Sequence, residues 1–270
     1  MKLQSLHTHS VYDDGKSTLE QMTRSAIAHG LDAVGFSGHS PIPGQSWTIC
    51  PEDLPRYFAE IQLLKEKYRG TISLYCGLEL ELCSEVPEGP FDYMIGSVHH
   101  IYIADRWVSV DESAAVTRSS VMNLLGGDGD AYAKAYFSGL EQVADCGCCQ
   151  IAGHLDLLTK YNEKDPLIDT ESPVYRRAAL RAAEALVSAG KIIEINTGAI
   201  GRGHRSVPYP ELWLLQELRR MDARVTITAD AHRADAVAGA YDQALELVQA
   251  VGFRELWMLQ GAEFIPCPIE

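Results

Sequence analysis

The chain has 270 residues, with 23 Lys and Arg against 37 Asp and Glu, which gives a formal net charge of −14. With 46% hydrophobic and 22% charged residues it has the composition of a globular protein, long enough for one large core or a single α/β barrel. The acidity and the lack of a basic run argue against long nucleic acids as partners, and no apolar stretch is long enough for a membrane span.

The N-terminus and the cysteines bear on the cellular compartment. Residues 1–5 are followed directly by a polar motif and lack the apolar core of a signal peptide. The seven cysteines are odd in number, which favours reduced thiols over a disulfide framework. We therefore expect a cytoplasmic protein. Cys146, Cys148 and Cys149 have no second cysteine pair at zinc-binding spacing, so they are predicted to be core packing.

Short β-rich runs alternate with longer helical runs along the whole chain. The predicted strands are residues 2–6, 33–37, 72–78, 93–98, 149–152, 191–196 and 224–228. The predicted helices are residues 18–29, 52–67, 132–145, 174–189, 210–221 and 234–251. Buried strands followed by crossover helices favour parallel pairing, so the sequence predicts one α/β domain over residues 1–270.

Two segments do not fit this alternation. The apolar run at residues 256–259 is either a further strand or a terminal segment packed outside. Residues 101–130 show no helix or strand pattern, and so long a connection is typical of an active-site lid or of a disordered segment. The lid is the favoured interpretation, and Trp107 within it could cover a substrate.

Histidines and carboxylates follow the predicted strands at their C-terminal ends. They are His7, His9 and Asp14 after the first strand, His39 after the second, Glu79 at the third, His99 after the fourth, His154 after the fifth, and Asp230 and His232 after the seventh. Barrel active sites are built at that end, and residues two apart on a strand face the same way. Imidazoles and carboxylates without thiolates suit Zn, Fe or Mn, so the pattern predicts a metal site.

This set resembles the PHP superfamily of metal-dependent phosphoesterases, which is named for polymerase and histidinol phosphatase. Its motifs correspond here to His7-x-His9 with Asp14 and His39, then Glu79, His99, His154 and Asp230-x-His232. Gly38-His39-Ser40-Pro41, Gly96-Ser97-Val98-His99-His100 and Gly153-His154-Leu155-Asp156 are similar to the histidinol-phosphatase branch. The resemblance covers essentially the whole chain and implies a distorted seven-stranded (βα)7 TIM-like barrel, in agreement with the seven predicted strands.

The resemblance also implies two to three divalent metal ions. The first would be held by His7, His9, Glu79 and Asp230, the second by Glu79, His99 and His154, and the third by Asp14, His39 and His232. Glu79 would bridge two ions, because adjacent cations need a shared carboxylate to offset their repulsion. The implied reaction is phosphomonoester hydrolysis by a metal-activated hydroxide, with Glu79, His99, Asp230 and His232 as the catalytic residues.

Further residues are candidates for contacts around the metal site. Arg202, Arg205, Arg233 and Lys160 are predicted to bind phosphate oxygens, and the spacing leaves Arg202 and Arg205 both open as the principal cation. His100 is either packed or a substrate contact. Asp156 and Glu194 are predicted to orient imidazoles. Glu81 supports the site or lies solvated at its rim, and Asp13 is predicted to be a turn residue.

Three functions are compatible with this pattern. The favoured one is hydrolysis of L-histidinol phosphate to L-histidinol and phosphate in histidine biosynthesis. A second is a PHP phosphoesterase that acts on a nucleotide or a short oligonucleotide, and a third is a metal-binding domain without catalysis. The complete ligand set favours an enzyme, and the acidity favours a small phosphorylated substrate. The sequence does not predict an oligomeric state.

Overall fold

The computed structural model describes residues 2–269. Its strands are β1 Gln4–Ser5, β2 Ala33–Phe36, β3 Ser73–Glu81, β4 Tyr93–Ser97, β5 His100–Ile103, β6 Arg106–Ser109, β7 Ile151–Ala152, β8 Ile192–Asn196, β9 Arg224–Thr228, β10 Glu255–Gln260 and β11 Glu263–Pro268. Its α-helices are α1 Leu19–Ala28, α2 Leu54–Lys67, α3 Ala114–Ser119, α4 Gly129–Asp145, α5 Pro173–Ser188, α6 Gly198–Gly201, α7 Leu212–Arg220 and α8 Tyr241–Val251. Among the helices of residues 2–269, none combines the length and apolar character that a membrane span requires.

Seven of the strands form one parallel sheet, in the order β1-β2-β3-β4-β7-β8-β9. The sheet curls so that the residues after β1 and β9 meet: Thr8 and Ala231 form a parallel bridge, and the His9 backbone N–H donates to the Ala231 carbonyl at 2.9 Å. The result is a nearly closed seven-stranded α/β barrel, which confirms the predicted fold class. All seven predicted strands are present, and β1 is shorter than expected.

Local sequence signals account for several element boundaries. Thr18 begins α1 through a reciprocal cap, in which its hydroxyl accepts from the Gln21 N–H at 3.2 Å and the Gln21 side chain accepts from the Thr18 N–H at 2.8 Å. The predicted single helix over residues 234–251 is wrong. Ala240 has a left-handed backbone with φ 52°, which a continuing helix cannot accommodate, so α8 begins only at Tyr241.

The C-terminal hairpin closes the end of the barrel where the strands begin. β10 and β11 pair antiparallel, which resolves the open assignment of residues 256–259 in favour of a strand. Leu259 packs with the buried side chains of Leu6 and Ile151, and the Tyr75 hydroxyl donates to the Leu259 carbonyl at 2.9 Å. The open end of the barrel is therefore the one where the strands finish.

Residues 101–130 have more regular structure than the sequence indicated. They include most of the antiparallel hairpin β5–β6, helix α3 and a π-helical turn at Ser120–Leu124. Ala104 and Asp105 connect the two hairpin strands with φ angles of 47° and 59°, as in a two-residue type I′ turn. The hairpin extends beside the open end of the barrel, where Trp107 and Ser109 line a cavity.

Candidate metal centre

Glu79, at the C-terminal part of β3, lies at the centre of the predicted ligand set. Its Oε1 is 3.0 Å from His154 Nε2 and 3.5 Å from His99 Nε2. Its Oε2 is 3.1 Å from His7 Nε2 and 3.0 Å from His39 Nδ1. Two ligands on one ion, with bonds of about 2.1 Å, are about 3.4 Å apart in a tetrahedral site. These separations therefore suit a carboxylate shared between ions.

The residues after β1 and β9 form a second group around the same point. His9 Nε2 is 3.3 Å from Asp230 Oδ1 and 3.6 Å from Glu79 Oε2, and His7 Nε2 is 3.9 Å from Asp230 Oδ1. The curl of the sheet explains the convergence, because the Thr8–Ala231 bridge joins the residues after β1 to those after β9. His7, His9 and Asp230 thus offer ligand atoms that all lie within 4.8 Å of one another.

The rim of the cavity brings together a third group. Asp14 Oδ1 is 3.3 Å from His232 Nε2 and 3.8 Å from His39 Nε2. His39 presents its other nitrogen to Glu79, so it stands between this group and the centre. Asp14 is the most exposed of these ligands, at 36% of its side chain, so this group is the one open to solvent.

Unpartnered buried atoms test whether these residues suit metal ions. Buried polar atoms almost always have hydrogen-bond partners, so each exception needs an explanation. Five buried atoms without partners are candidate ligand atoms directed into this centre: His7 Nε2, His9 Nε2, Asp14 Oδ1, His39 Nδ1 and Glu79 Oε2. Each group offers at least three nitrogen or oxygen atoms, and imidazole and carboxylate ligands fit divalent ions such as Zn, Fe or Mn.

Buried carboxylates behind the imidazoles fix the direction in which each ring points. His7 Nδ1 donates to Glu194 at 2.6 Å, His9 Nδ1 donates to Asp13 at 2.6 Å, and His99 Nδ1 donates to Glu81 at 2.7 Å. Because Nδ1 carries the proton in each ring, Nε2 is left with its lone pair toward the centre.

One of these three orienting carboxylates, Asp13, was not predicted as a support, and for Glu81 the structure selects one of two open alternatives. Asp13 is a support of His9 and not only a turn residue, and Glu81 is buried beneath His99 rather than solvated at the rim. Glu194 acts on an imidazole as predicted. Asp156 does not: it accepts from the Glu211 N–H at 2.8 Å, and no hydrogen bond joins it to an imidazole of the described residues, so its predicted role is corrected.

Imidazoles and carboxylates are closely paired throughout the centre, and each shifts the pKa of the other. Burial disfavours the charged form of Glu79, but the imidazoles of His7, His99 and His39 outweigh burial and hold its pKa well below the usual range. Burial lowers the pKa of His9, yet the carboxylate of Asp13 and other acids raise it to about 10.

The predicted phosphate-binding cations lie in three different environments. Arg202 lines the cavity and donates to the Asp230 carboxylate at 3.0 Å and to His232 Nδ1 at 3.1 Å. Arg205 is buried, lies 4.5 Å from the centre of the Tyr209 ring and donates to the Thr159 hydroxyl. Arg233 pairs with Asp235 at 2.5 Å on the surface.

These placements separate the candidates. Of the three arginines, only Arg202 lines the cavity among the described residues, which favours it over Arg205 and Arg233 as the phosphate contact. Arg202 depends on Gly198, because a Cβ there would lie 2.8 Å from both the Arg202 guanidinium and the Asp230 carboxylate. The Asp230 backbone is itself strained, with φ 45°.

The cavity beside the centre has a volume of about 750 Å³, within the usual range for small-molecule sites. His100 lies on its wall, stacked with Trp47 at 5.7 Å between ring centroids and an angle of 20°. Lys160 also lines it and donates to the carboxylate of Asp111 at 2.9 Å. Sequence reasoning missed Trp47 and Asp111, since neither lies in a motif.

Comparisons with known proteins agree with this architecture. The PHP domain family matches residues 5–198, and the chain belongs to this family. The "probable histidinol-phosphatase" of Deinococcus radiodurans is 29% identical over 248 residues, covering 88% of each chain. The histidinol-phosphatase of Bacillus subtilis is 25% identical over 263 residues, covering 89% of this chain and 97% of that protein.

A solved structure gives the same fold. The histidinol phosphate phosphatase of Lactococcus lactis, complexed with zinc, L-histidinol and phosphate, superposes with a TM-score of 0.77 at 25% identity. The match covers 98% of this chain and 99% of that chain, so the barrel and its terminal segments are shared.

Proposed function

We propose that this protein is a metal-dependent phosphomonoesterase that hydrolyses L-histidinol phosphate to L-histidinol and phosphate. The observation that carries the proposal is the convergence of three ligand groups on and around the Glu79 carboxylate at the open end of the barrel. The names of the Bacillus subtilis and Lactococcus lactis relatives support the choice of substrate.

Three divalent ions are proposed, one for each ligand group. His7, His9, Glu79 and Asp230 would hold the first, Glu79, His99 and His154 the second, and Asp14, His39 and His232 the third. When bound, the ions would supply an acidified water and neutralise phosphate oxygens. Glu79 would hold both of the first two ions, since its Oε1 faces His99 and His154 while its Oε2 faces His7.

The protein's own residues would bind and orient the phosphate ester. Arg202 is the C-terminal cap of α6 and lines the cavity. Its guanidinium is held by Asp230 and His232. A guanidinium fixed in this way can donate to a phosphate oxygen without first losing rotational freedom. Lys160 adds a second positive charge on the same wall, partly offset by Asp111.

The remainder of the cavity suits a small cationic and aromatic leaving group. Trp47 and His100 present stacked planar rings on one wall, against which an imidazole can pack. Burial disfavours charge on Asp111, but Lys160 and His99 hold its pKa below the usual range, so it stays anionic. We assign Asp111 and the neighbouring Glu112 as counter-charges for an ammonium group of the substrate.

Phosphate release by purified, metal-loaded protein tests the proposal. The substrate panel is L-histidinol phosphate, a nucleoside monophosphate, a dinucleotide and an aryl phosphate, compared by kcat/KM. We expect L-histidinol phosphate to be preferred over the aryl phosphate by at least about 100-fold, since a site that pairs with polar substrate groups rejects analogues that lack them. If the nucleoside monophosphate or the dinucleotide is preferred, the protein is a phosphoesterase of nucleotides and the substrate assignment is wrong. If no ester is hydrolysed, the protein is a metal-binding domain without catalysis.

Matched variants locate the activity. Glu79→Gln should abolish turnover and metal retention while the protein remains folded, because the amide cannot bridge two cations. Arg233→Ala, which removes a surface cation paired with Asp235, should behave as the unmodified protein does. We also place the reaction in the cytoplasm, where the seven cysteines, all free in the structure, would stay reduced.

A further inference from the structure

Three thiols meet at the end of the barrel opposite the candidate metal centre. Cys146 caps the C-terminus of α4, and Cys148 and Cys149 lie just before β7, so four consecutive residues supply three sulfur atoms. The Cys146 sulfur is 3.1 Å from that of Cys148 and 3.5 Å from that of Cys149. His154, a candidate ligand of the metal centre, lies beyond the other end of β7.

The surrounding structure holds the three sulfurs together. Lys191 is buried just before β8, and its ammonium donates to the carbonyl oxygens of Cys146 at 2.5 Å and of Cys149 at 2.7 Å. Two fixed carbonyls on one cation keep the loop closed over the thiols.

We propose that Cys146, Cys148 and Cys149 form a second metal site, which binds one thiophilic closed-shell ion such as Cu(I). The three sulfur ligand atoms lie within 4.8 Å of one another, and no other His, Cys, Asp or Glu of residues 2–269 joins the group. Thiolates without an imidazole or carboxylate select Cu(I) or Zn over harder ions such as Mn. A set of three sulfurs suits Cu(I) better than Zn, because structural Zn sites are almost always four-coordinate.

The geometry requires little movement for binding. Three sulfurs at about 2.3 Å from one ion are about 3.8–4.0 Å apart, so the thiols must separate by less than about 1 Å. Gly147, between the ligands, has no atom within 4 Å of where a Cβ would lie, so the loop has room to adjust. On binding, each coordinating thiol releases its proton to solvent, and the ion keeps its oxidation state.

The site would join the end of α4 to the start of β7. Cys149 is 3% exposed and belongs to a buried apolar cluster, while Cys146 and Cys148 pack against that cluster and reach solvent. An ion can therefore enter from the surface while its sulfur ligands lie at the edge of the core. Binding should stabilise this connection without contacting the phosphatase centre.

The test is an anaerobic titration of the reduced, zinc-loaded protein with Cu(I) against the chelator bicinchoninate. We expect one Cu(I) per chain, an ultraviolet thiolate-to-metal charge-transfer band and a higher Tm. Cys146→Ser and Cys148→Ser should each weaken Cu(I) binding by at least about 100-fold, whereas Cys50→Ser and Cys267→Ser should retain it. Zinc content and phosphate release should not change at one equivalent of Cu(I).

Several results would overturn the proposal. They are failure of the reduced protein to compete with the chelator, binding that survives both Cys146→Ser and Cys148→Ser, and loss of zinc or activity in step with Cu(I) uptake. The last result would place the ion in the catalytic centre. Because the titration and the absorption band need no turnover, failure here is distinguishable from failure of the proposed phosphatase function.

Discussion

Replacing Asp13 by Asn tests whether the carboxylates behind the imidazoles govern metal affinity. The Asp13 carboxylate accepts from His9 Nδ1 at 2.6 Å, from the Ser10 N–H at 2.8 Å and from the His39 N–H at 3.1 Å. An amide of the same shape would present its NH2 group to at least one of these donors and would remove the negative charge. The His9 ring would then lose the partner that fixes its proton on Nδ1.

The expected loss of metal affinity follows from the loss of this one hydrogen-bond partner of His9. Loss of the residue that orients a ligating histidine costs about 10–100-fold in metal affinity, or about 1.4–2.7 kcal/mol. The assay is competition with a graded series of metal chelators, with ion content and turnover measured at each free metal concentration. At saturating metal, Asp13→Asn should recover most of its activity, since no ligand atom has been removed.

Two comparisons make the Asp13 result decisive. Asp14→Asn changes a candidate ligand, so its deficit should persist at high metal concentration. Glu60→Gln changes a nearby carboxylate that accepts from the Tyr12 hydroxyl at 2.7 Å outside the centre, and it should bind metal normally. The reasoning is refuted if folded Asp13→Asn retains ions within twofold of the unmodified protein.

Other substitutions and metal removal give further expected outcomes. Arg202→Ala should lower kcat/KM for a phosphate ester by about 10²–10³-fold in steady-state kinetics, as for other lost transition-state donors. Arg205→Ala should instead destabilise the protein by about 1–3 kcal/mol in denaturant unfolding, because it removes a buried guanidinium that lies over the Tyr209 ring and donates to the Thr159 hydroxyl. Leu259→Ala should cost about 2–5 kcal/mol of unfolding free energy with KM unchanged, since it opens the closed end of the barrel. For each ion whose free concentration is about 100 times its Kd, chelation should lower Tm by about 5–10 °C in scanning calorimetry. Equal activity losses for both arginine variants, a KM change in Leu259→Ala, or an unchanged Tm after chelation would contradict the corresponding assignment.

The barrel could be predicted because its strands are short, apolar and separated by helical runs. The errors arose where a backbone conformation is set by something other than residue type. Ala240 interrupts a stretch of good helix formers through its φ of 52°, and alanine gives no sign of this in the sequence. The β5–β6 hairpin was missed because its turn, Ala104-Asp105, lacks the Asn-Gly or Asp-Gly pair typical of type I′ turns.

The candidate metal ligands could be found for a different reason. Parallel strands all finish at one end of the barrel, so residues such as His7 and Asp230, far apart in sequence, meet whenever they occupy that position. The side chains that contact the ligands or line the cavity could not be found in this way, because their contacts depend on side-chain direction, which sequence position does not give. Asp13 reaches back four residues to His9, and Asp111 arrives from the connection between β6 and α3. Trp47 reaches His100 from the connection between β2 and α2.

The formal net charge of −14 is unevenly distributed over the protein, because several of its carboxylates lie at the candidate metal centre. Glu79, Asp230 and Asp14 face the proposed ions, and Asp13, Glu81 and Glu194 lie behind their imidazoles, so this one end of the barrel holds six negative charges. Three divalent ions would balance them, and Arg202 would leave the loaded centre positive. A phosphate dianion would then be attracted at short range although the whole chain repels it, because charges beyond about 10 Å are screened at physiological salt. Long nucleic acids contact much more of the surface and would meet the unbalanced acidity of the rest of the chain. The acidity therefore favours small phosphate esters through the same residues that prepare the site for metal.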